Sequence, residues 1–293
     1  MNASTTIPKS EITAVAIGHF DGIHKGHKEL IKALGEHGAL IVVESDKANI
    51  TPKRRREEYA GVPCFYYHLN DVRELRGDEF IELIKRDFSN LKRIVVGYDF
   101  KFGKDRAWDK HDLKSLFKGE VVVVSEFSFD GLGVHSSAIR RFIADGDIYR
   151  ANRLLGREYS IEGRVLKGCG IGREKLYPTL NLAIEPYVRP GDGVYATRTK
   201  IDDITYNSVT FIGDRATTGT GFAIESHLLD VCLFETPAVV RVCFVERIRD
   251  NVKFESLDAL KAQIEKDMNI ARNVAKVCDL SLKDDYIHAR DLF

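Results

Sequence analysis

Residues 18–27 read GHFDGIHKGH, and the fold of the first half of the chain turns on that stretch. The run before it, residues 12–17, is apolar and partly β-branched, as a buried parallel strand is. The run after it, residues 25–34, sets Leu30, Ile31 and Leu34 on one helical face. The quoted residues are therefore a strand-to-helix turn. Gly18 and Gly22 permit a tight bend and close approach of the backbone to a ligand. His24 and His27 are three apart, so on a first helical turn their side chains share a face. That face lies at a helix N-terminus, where free N–H groups and the macrodipole favour an anion. Two imidazoles there suit a polyphosphate undergoing substitution, whose oxygens gain charge in the transition state. Read alone, the HxxH spacing is also compatible with a surface pair or a metal site. A metal wants further Cys, His or carboxylate ligands at suitable spacing, and none lies nearby in the sequence.

Apolar runs alternate with helical patterns as far as about residue 156, which predicts an α/β layer with a mainly parallel sheet. Strands are expected at residues 12–17, 39–43, 64–69, 93–97 and 121–126. Helices are expected at 25–34, 55–60, 78–88, 111–117 and 137–145. In such sheets ligands bind beyond the carboxyl ends of the strands. The segment 97–106, GYDFKFGKDR, leaves one of those ends and carries Asp99, Phe100, Phe102 and Arg106. An acidic side chain there can accept from an adenine amino group or a ribose, and aromatics can stack on a ring. The same residues also read as a turn whose phenylalanines plug the core. Residues 134–147, VHSSAIRRFIADGD, read as a helix capped by Ser136 or Ser137, with Ile139, Phe142 and Ile143 buried. The basic run KRRR at 53–56 reads first as a solvated helix face, second as a triphosphate contact and only remotely as a nucleic-acid site.

A helical pattern continues through 147–155 and stops at Gly156. Short strands with turn signals follow at 159–166, 179–184, 193–201, 206–212, 223–233 and 238–246. They predict a closed six-stranded antiparallel β-barrel with a C-terminal helix at 257–276 packed on it. Leu257, Leu260, Ile264, Met268 and Ala271 form that helix's core stripe. In residues 168–181, GCGIGREKLYPTLN, the glycines Gly168, Gly170 and Gly172 make either a phosphate-wrapping loop or an ordinary flexible turn. Thr179 and Asn181 are two apart on a strand, so both project to one side. They offer two neutral oxygens, and Mg²⁺ shares such sites with water and phosphate oxygens. Pro178 is tolerated because it begins the strand. Glu225, in AIESHLLD, reads by itself as an exposed alternating position.

At 293 residues the chain suits two domains. Lys plus Arg equals Asp plus Glu, 44 each, so no global charge argues for nucleic acid or a membrane surface. Apolar content of 44% with 30% charged residues is that of a soluble globular protein. No apolar run approaches the roughly 20 residues of a membrane span. The opening MNASTTIPKSE is too polar for a signal peptide. Five cysteines, Cys64, Cys169, Cys232, Cys243 and Cys278, form no CxxC pair, and free thiols in a reducing cytoplasm are expected.

The pattern G-x-F-D-G-x-H-x-G-H after an apolar run, carried by Gly18, Phe20, Asp21, Gly22, His24 and His27, resembles the signature of the HxGH nucleotidyltransferases. More narrowly it resembles the adenylyltransferase half of the bifunctional riboflavin kinase/FMN adenylyltransferases, also called FAD synthetases. Residues 97–106 resemble that family's GxDFxFG element, and Ser136, Ser137, Ile139 and Arg140 its SS/T-x-I-R signature. Gly156-Arg157-Glu158-Tyr159 resembles the junction between its modules. Pro178-Thr179-Leu180-Asn181 resembles the PTxN motif of riboflavin kinases, with Leu180 on the opposite face where a small residue is usual. Glu225 falls on the family's catalytic base and Arg249 on a position near the flavin.

The resemblance implies a Rossmann-like nucleotidyltransferase domain over 1–156 and a riboflavin kinase barrel over 157–293. It implies Mg-ATP, riboflavin and FMN as substrates and FAD as final product. His24, His27 and Arg140 would act at the adenylyl transfer, Glu225 at the phosphorylation, and Thr179 and Asn181 at Mg²⁺. Two departures stand out: His19 replaces the usual Asn, and ESDKANITPK follows Val43 where a Phe-x-Pro-His-Pro element is usual. They motivate a second reading, a riboflavin kinase whose first module is catalytically weak. A non-enzymatic flavin sensor is a third, opposed by intact His24, His27, Thr179, Asn181 and Glu225.

Overall fold

The computed structural model describes residues 7–52, 55–166, 177–184, 187–215, 221–231 and 233–281. The chain separates into two compact units, Met1–Ser136 and Ser137–Phe293. In the first unit the elements are β1 (Ala14–Gly18), α1 (Lys25–Lys32), β2 (Gly38–Glu44), α2 (Arg55–Ala60), β3 (Cys64–His68) and α3 (Leu69–Val72). They continue as α4 (Gly77–Asp87), β4 (Arg93–Gly97), β5 (Lys101–Phe102), β6 (Trp108–Asp109), α5 (Lys110–Leu116), β7 (Glu120–Val124), β8 (Ser128–Phe129) and β9 (Leu132–Gly133). The expected parallel sheet is present, with strand order β3-β2-β1-β4-β7 and every pairing parallel.

The two-residue period of β1 explains how the sheet is covered on both faces. Val15 and Ile17 face a layer containing Phe80, Ile81 and Ile84 of α4 and Leu113 of α5. Ala14 and Ala16 face the opposite layer, with Leu34, Leu30 and Tyr59. The chain winds outward from β1 to β3, then returns across β1 to place β4. Strand order therefore reverses at β1 and β4, and ligands of open α/β sheets sit beyond the carboxyl ends at such a point. Residues 18–24 leave one of those ends and residues 98–106 the other.

Three elements lay outside the sequence expectation: α3 and the hairpins β5–β6 and β8–β9. Strands of two residues carry no readable period, and tertiary contact decides them. In β5–β6 the decisive contact is Trp108, whose indole lies where a Cβ on Gly77 or Gly103 would come within 2.4 or 2.5 Å. The KRRR expectation is corrected. Arg56 is only 1% exposed, with Nη1 3.1 Å from Glu44 Oε2 and Nη2 3.1 Å from Asn49 Oδ1. Arg55 pairs with Glu58 and is also largely covered. Lys53 and Arg54 lie outside the described residues. A run of like charges does not reveal which member turns inward to meet a carboxylate.

After Ser136, the first residue of α6 (Ser136–Ala144), the second unit contains the rest of that helix, α7 (Ile148–Leu155), β10 (Tyr159–Leu166), β11 (Leu180–Ala183), β12 (Gly193–Ile201), β13 (Ile204–Asp214), β14 (Phe222–Leu228), β15 (Val239–Arg249) and α8 (Leu257–Ser281). The six strands close in the order β10-β11-β14-β13-β12-β15, all antiparallel, so no edge is left unpaired. Buried Asn152 fastens α7 to this barrel: its Nδ2 donates to Phe244 O at 2.9 Å, and its Oδ1 accepts from Tyr159 N at 2.6 Å. One side of α8 packs Met268, Ala271 and Val274 on Val194, Ala196, Val209 and Val245. Leu257, expected in that stripe, is 40% exposed.

The barrel strands present Thr197, Thr199, Ser208, Thr210 and Ser226 on the side opposite α8, all buried. Their hydroxyls close a five-membered ring. The separations are 2.7 Å for Thr197–Ser208, 2.8 Å for Ser208–Thr199 and 2.9 Å for Thr199–Ser226. The remaining sides are Ser226–Thr210 at 3.2 Å and Thr210–Thr197 at 2.8 Å. Five bonds among five hydroxyls require each to donate once. Thr210 donates to Ser226, so the whole ring runs in one direction: Ser226 to Thr199, Ser208, Thr197 and back to Thr210. Thr199→Val, nearly isosteric, leaves two buried hydroxyls one partner short. It is expected to lower unfolding free energy by about 1–3 kcal/mol in a urea titration. A change below a few tenths would mean that the ring adds nothing.

Candidate functional site

In the first unit the turn between β1 and α1 is strained and heavily buttressed. Phe20 (φ +47°) and Ile23 (φ +40°) adopt left-handed backbone around Gly22 (φ +96°). For a β-branched residue this is a true outlier. It is maintained because both side chains are buried in the apolar layer under the sheet. Asp21 is buried too, and its Oδ1 accepts from Ile50 N at 2.8 Å and Thr51 N at 3.2 Å. Gly22 N donates to Thr51 Oγ1 at 2.8 Å. Phe20 and Asp21, expected at the ligand, thus hold the turn's shape. Thr51 was missed in the sequence, since its partner is 29 residues away.

That turn delivers the histidines as expected. His24 is the N-cap of α1, and its Nδ1 accepts from His27 N at 3.2 Å. The accepting Nδ1 puts the proton of neutral His24 on Nε2. The two rings stack at 3.6 Å with 17° between planes. Gly26 makes this possible: a Cβ there would lie 3.2 Å from His24 Nδ1 and 3.3 Å from Val134 O. His19 donates from Nδ1 to Val43 O at 2.6 Å, closing β2 onto the turn with an N–H that an amide side chain also supplies.

Around the neighbouring strand end, Asp99 and Arg106 are exposed, with Arg106 at φ +56°. Tyr98 beside them is held above its ordinary range, by desolvation first and by its hydrogen bond to Glu126 second. Phe102 differs from the expectation of a stacking ring. It is 6% exposed and belongs to the apolar core, 5.4 Å from Phe100 and 6.1 Å from Phe80. Ser136, expected as an N-cap, is already the first residue of α6, and its hydroxyl donates to Asp21 O at 2.7 Å. Ser137 is exposed and Arg140 half-buried on the same helix.

In the second unit Asn181 of β11 lies directly opposite Glu225 of β14. Ser226 turns into the buried hydroxyl ring, so Glu225 and His227 project from the other face of the strand. Asn181 therefore shares a face with Glu225, and Thr179 sits two residues before it. His227 Nδ1 is 2.8 Å from Pro178 O. A residue the sequence reading overlooked joins the pair. Arg215 Nη2 donates to Asn181 Oδ1 at 2.5 Å and to Glu225 Oε1 at 2.8 Å. Only the β11–β14–β13 neighbourhood reveals it. Arg249 is committed elsewhere: its Nε and Nη2 grip the buried Asp267 carboxylate of α8 at 2.7–3.0 Å. The residue that the resemblance set near a flavin is thus held by an ion pair to α8. Gly168, Gly170 and Gly172 lie outside the described residues. Among the described residues Cys64 and Cys243 are free thiols, and burial above all pushes the Cys64 thiol up to about 12.

A parallel α/β unit with paired imidazoles at a helix N-terminus, and a closed barrel that pairs an amide with a carboxylate, define a two-module protein. Each module matches a family model of its own: FAD synthetase over residues 6–44 and 42–138, and riboflavin kinase over 155–275. The chain belongs to the bifunctional riboflavin kinase/FMN adenylyltransferase family. It is 31% identical over 286 residues to the Haemophilus influenzae protein of that name, covering 88% of this chain and 93% of the relative. Identity to the Pseudomonas fluorescens protein is 32% over 295 residues, covering 92% and 94%. A solved structure titled as a macrolide-efflux protein from Streptococcus pneumoniae shares the architecture, with a TM-score of 0.80 and 29% identity over 91% of this chain and 98% of that one. In the present chain no helix among the described residues is long and apolar enough to cross a membrane.

Proposed function

We propose that the chain makes FAD from riboflavin in two ATP-dependent steps, one in each unit. In the barrel, the riboflavin 5′-hydroxyl oxygen bonds to the γ-phosphorus of ATP as the bond to the bridging oxygen breaks. ADP leaves, the hydroxyl proton passes to Glu225, and FMN results. In the α/β unit, a phosphate oxygen of FMN bonds to the α-phosphorus of a second ATP, releasing pyrophosphate and leaving FAD. His24 and His27 donate to the oxygens that gain charge. Gly18 leaves room for phosphate to approach the backbone of the turn, while Asp99 and Arg106 meet the nucleoside. The functional boundary falls near Arg157, two residues into the riboflavin kinase match that begins at 155. Free thiols at Cys64 and Cys243 support a cytoplasmic setting.

One observation carries the two-step reading: the imidazole stack and the amide–carboxylate pair lie in different compact units. The oxygen donors of Thr179 and Asn181, next to the Glu225 carboxylate, fit a hard cation. Mg²⁺ bound there with ATP would neutralise phosphate charge, held by Thr179 and Asn181. The protein's own part is to fix the nucleotide and aim Glu225 at the hydroxyl.

Riboflavin and Mg-ATP incubated with the protein are expected to yield FMN first and FAD later, separated by chromatography. FMN as the sole product would strip the first unit of its role. Tight flavin binding without turnover would return the sensor reading. Asn181→Ala is expected to raise KM for ATP in FMN formation about 10–100-fold, the worth of one contact to a charged group. An unchanged KM and kcat would remove Asn181 from the nucleotide site.

A further inference from the structure

We propose that Arg215 is a positioning residue of the phosphorylation step, acting through Glu225 and Asn181. This rests on the assignment of Glu225 as the base. The register sets the Asn181 amide oxygen and the Glu225 carboxylate side by side on one face, two acceptors that repel unless a donor lies between them. Arg215 Nη2 fills that gap, 2.5 Å from one and 2.8 Å from the other. A guanidinium nitrogen carries two N–H bonds in a fixed plane, so one nitrogen can hold both oxygens at a set angle. It engages Glu225 at Oε1, and accepting a proton needs only one carboxylate oxygen.

The position of Arg215 is itself built. Gly213, at φ +145°, precedes it near the end of β13, and a Cβ there would come within 2.1 Å of Asn251 Nδ2, which donates to Ile212 O at 2.8 Å. Arg215 N then donates to Gly221 O at 3.0 Å. Arg215 and Glu225 are both largely covered, at 18% and 24% side-chain exposure, unlike a solvated surface pair. A glutamate without this clamp samples several rotamers, and misplacement by about 1 Å can cost around 10²-fold in rate.

A double-mutant cycle on the full-length chain tests the assignment, with FMN formation from riboflavin and Mg-ATP as the readout. Arg215→Ala alone is expected to lower kcat about 10–100-fold while KM for riboflavin moves less than about threefold. In a Glu225→Gln background the same change is expected to cost less than about threefold, because the group it positions is gone. Arg215→Lys is expected to recover part of the rate. The midpoint of a urea unfolding titration reports that the barrel of each variant is folded. A full-size Arg215→Ala loss persisting beside Glu225→Gln would overturn the positioning role alone, as would a loss below threefold in the parent chain. A Glu225→Gln protein at full rate would overturn the base assignment and the positioning role with it.

Discussion

His27→Ala is expected to abolish FAD formation from FMN and ATP while leaving FMN formation from riboflavin within about twofold. The loss has two parts. One donor to a charge-building phosphate disappears, typically worth about 10²–10³ in rate. The stack at 3.6 Å also disappears, and with it the ring that holds His24 flat beside the helix end. The backbone N–H of residue 27 still reaches His24 Nδ1, so the N-cap survives and the fold is not at stake. The kinase step is spared because Asn181, Arg215 and Glu225 stand on a barrel in the other compact unit. Assaying both products from the same preparation decides it. Equal loss of both reactions would contradict two separate sites.

Glu225→Gln is expected to lower FMN formation by about 10²–10⁴, the usual worth of general-base assistance. The substitution preserves size, and the amide oxygen can still accept from Arg215, so position is conserved and basicity removed. FAD formation from supplied FMN is expected to continue unchanged. A decrease of only a few-fold would make Glu225 a structural partner of Arg215 and nothing more.

Most of the architecture was readable because its signals are local. The apolar run before Gly18, the HxxH spacing and the stop at Gly156 each depend on neighbours within a turn or two. Strands 93–97, 159–166 and 193–201 stand where the period placed them. The β11 register set Asn181 and Glu225 opposite one another. Burial was less legible. Phe102, Asp21 and Arg249 have residue types equally suited to a ligand or to packing, and their partners Phe80, Ile50 and Asp267 are distant in the chain or hidden in a helix.

Chain order by itself determined the two-module layout, the alternation of elements and the turn carrying His24 and His27, because periodicity and capping are short-range effects. Only the tertiary structure decided that Arg56 turns inward, that five hydroxyls close a directed ring, and that Arg215 bridges Asn181 and Glu225. Those outcomes depend on which strands become neighbours. A hydrogen bond of less than 3 Å between residues 34 apart leaves no trace in either segment until the barrel has closed.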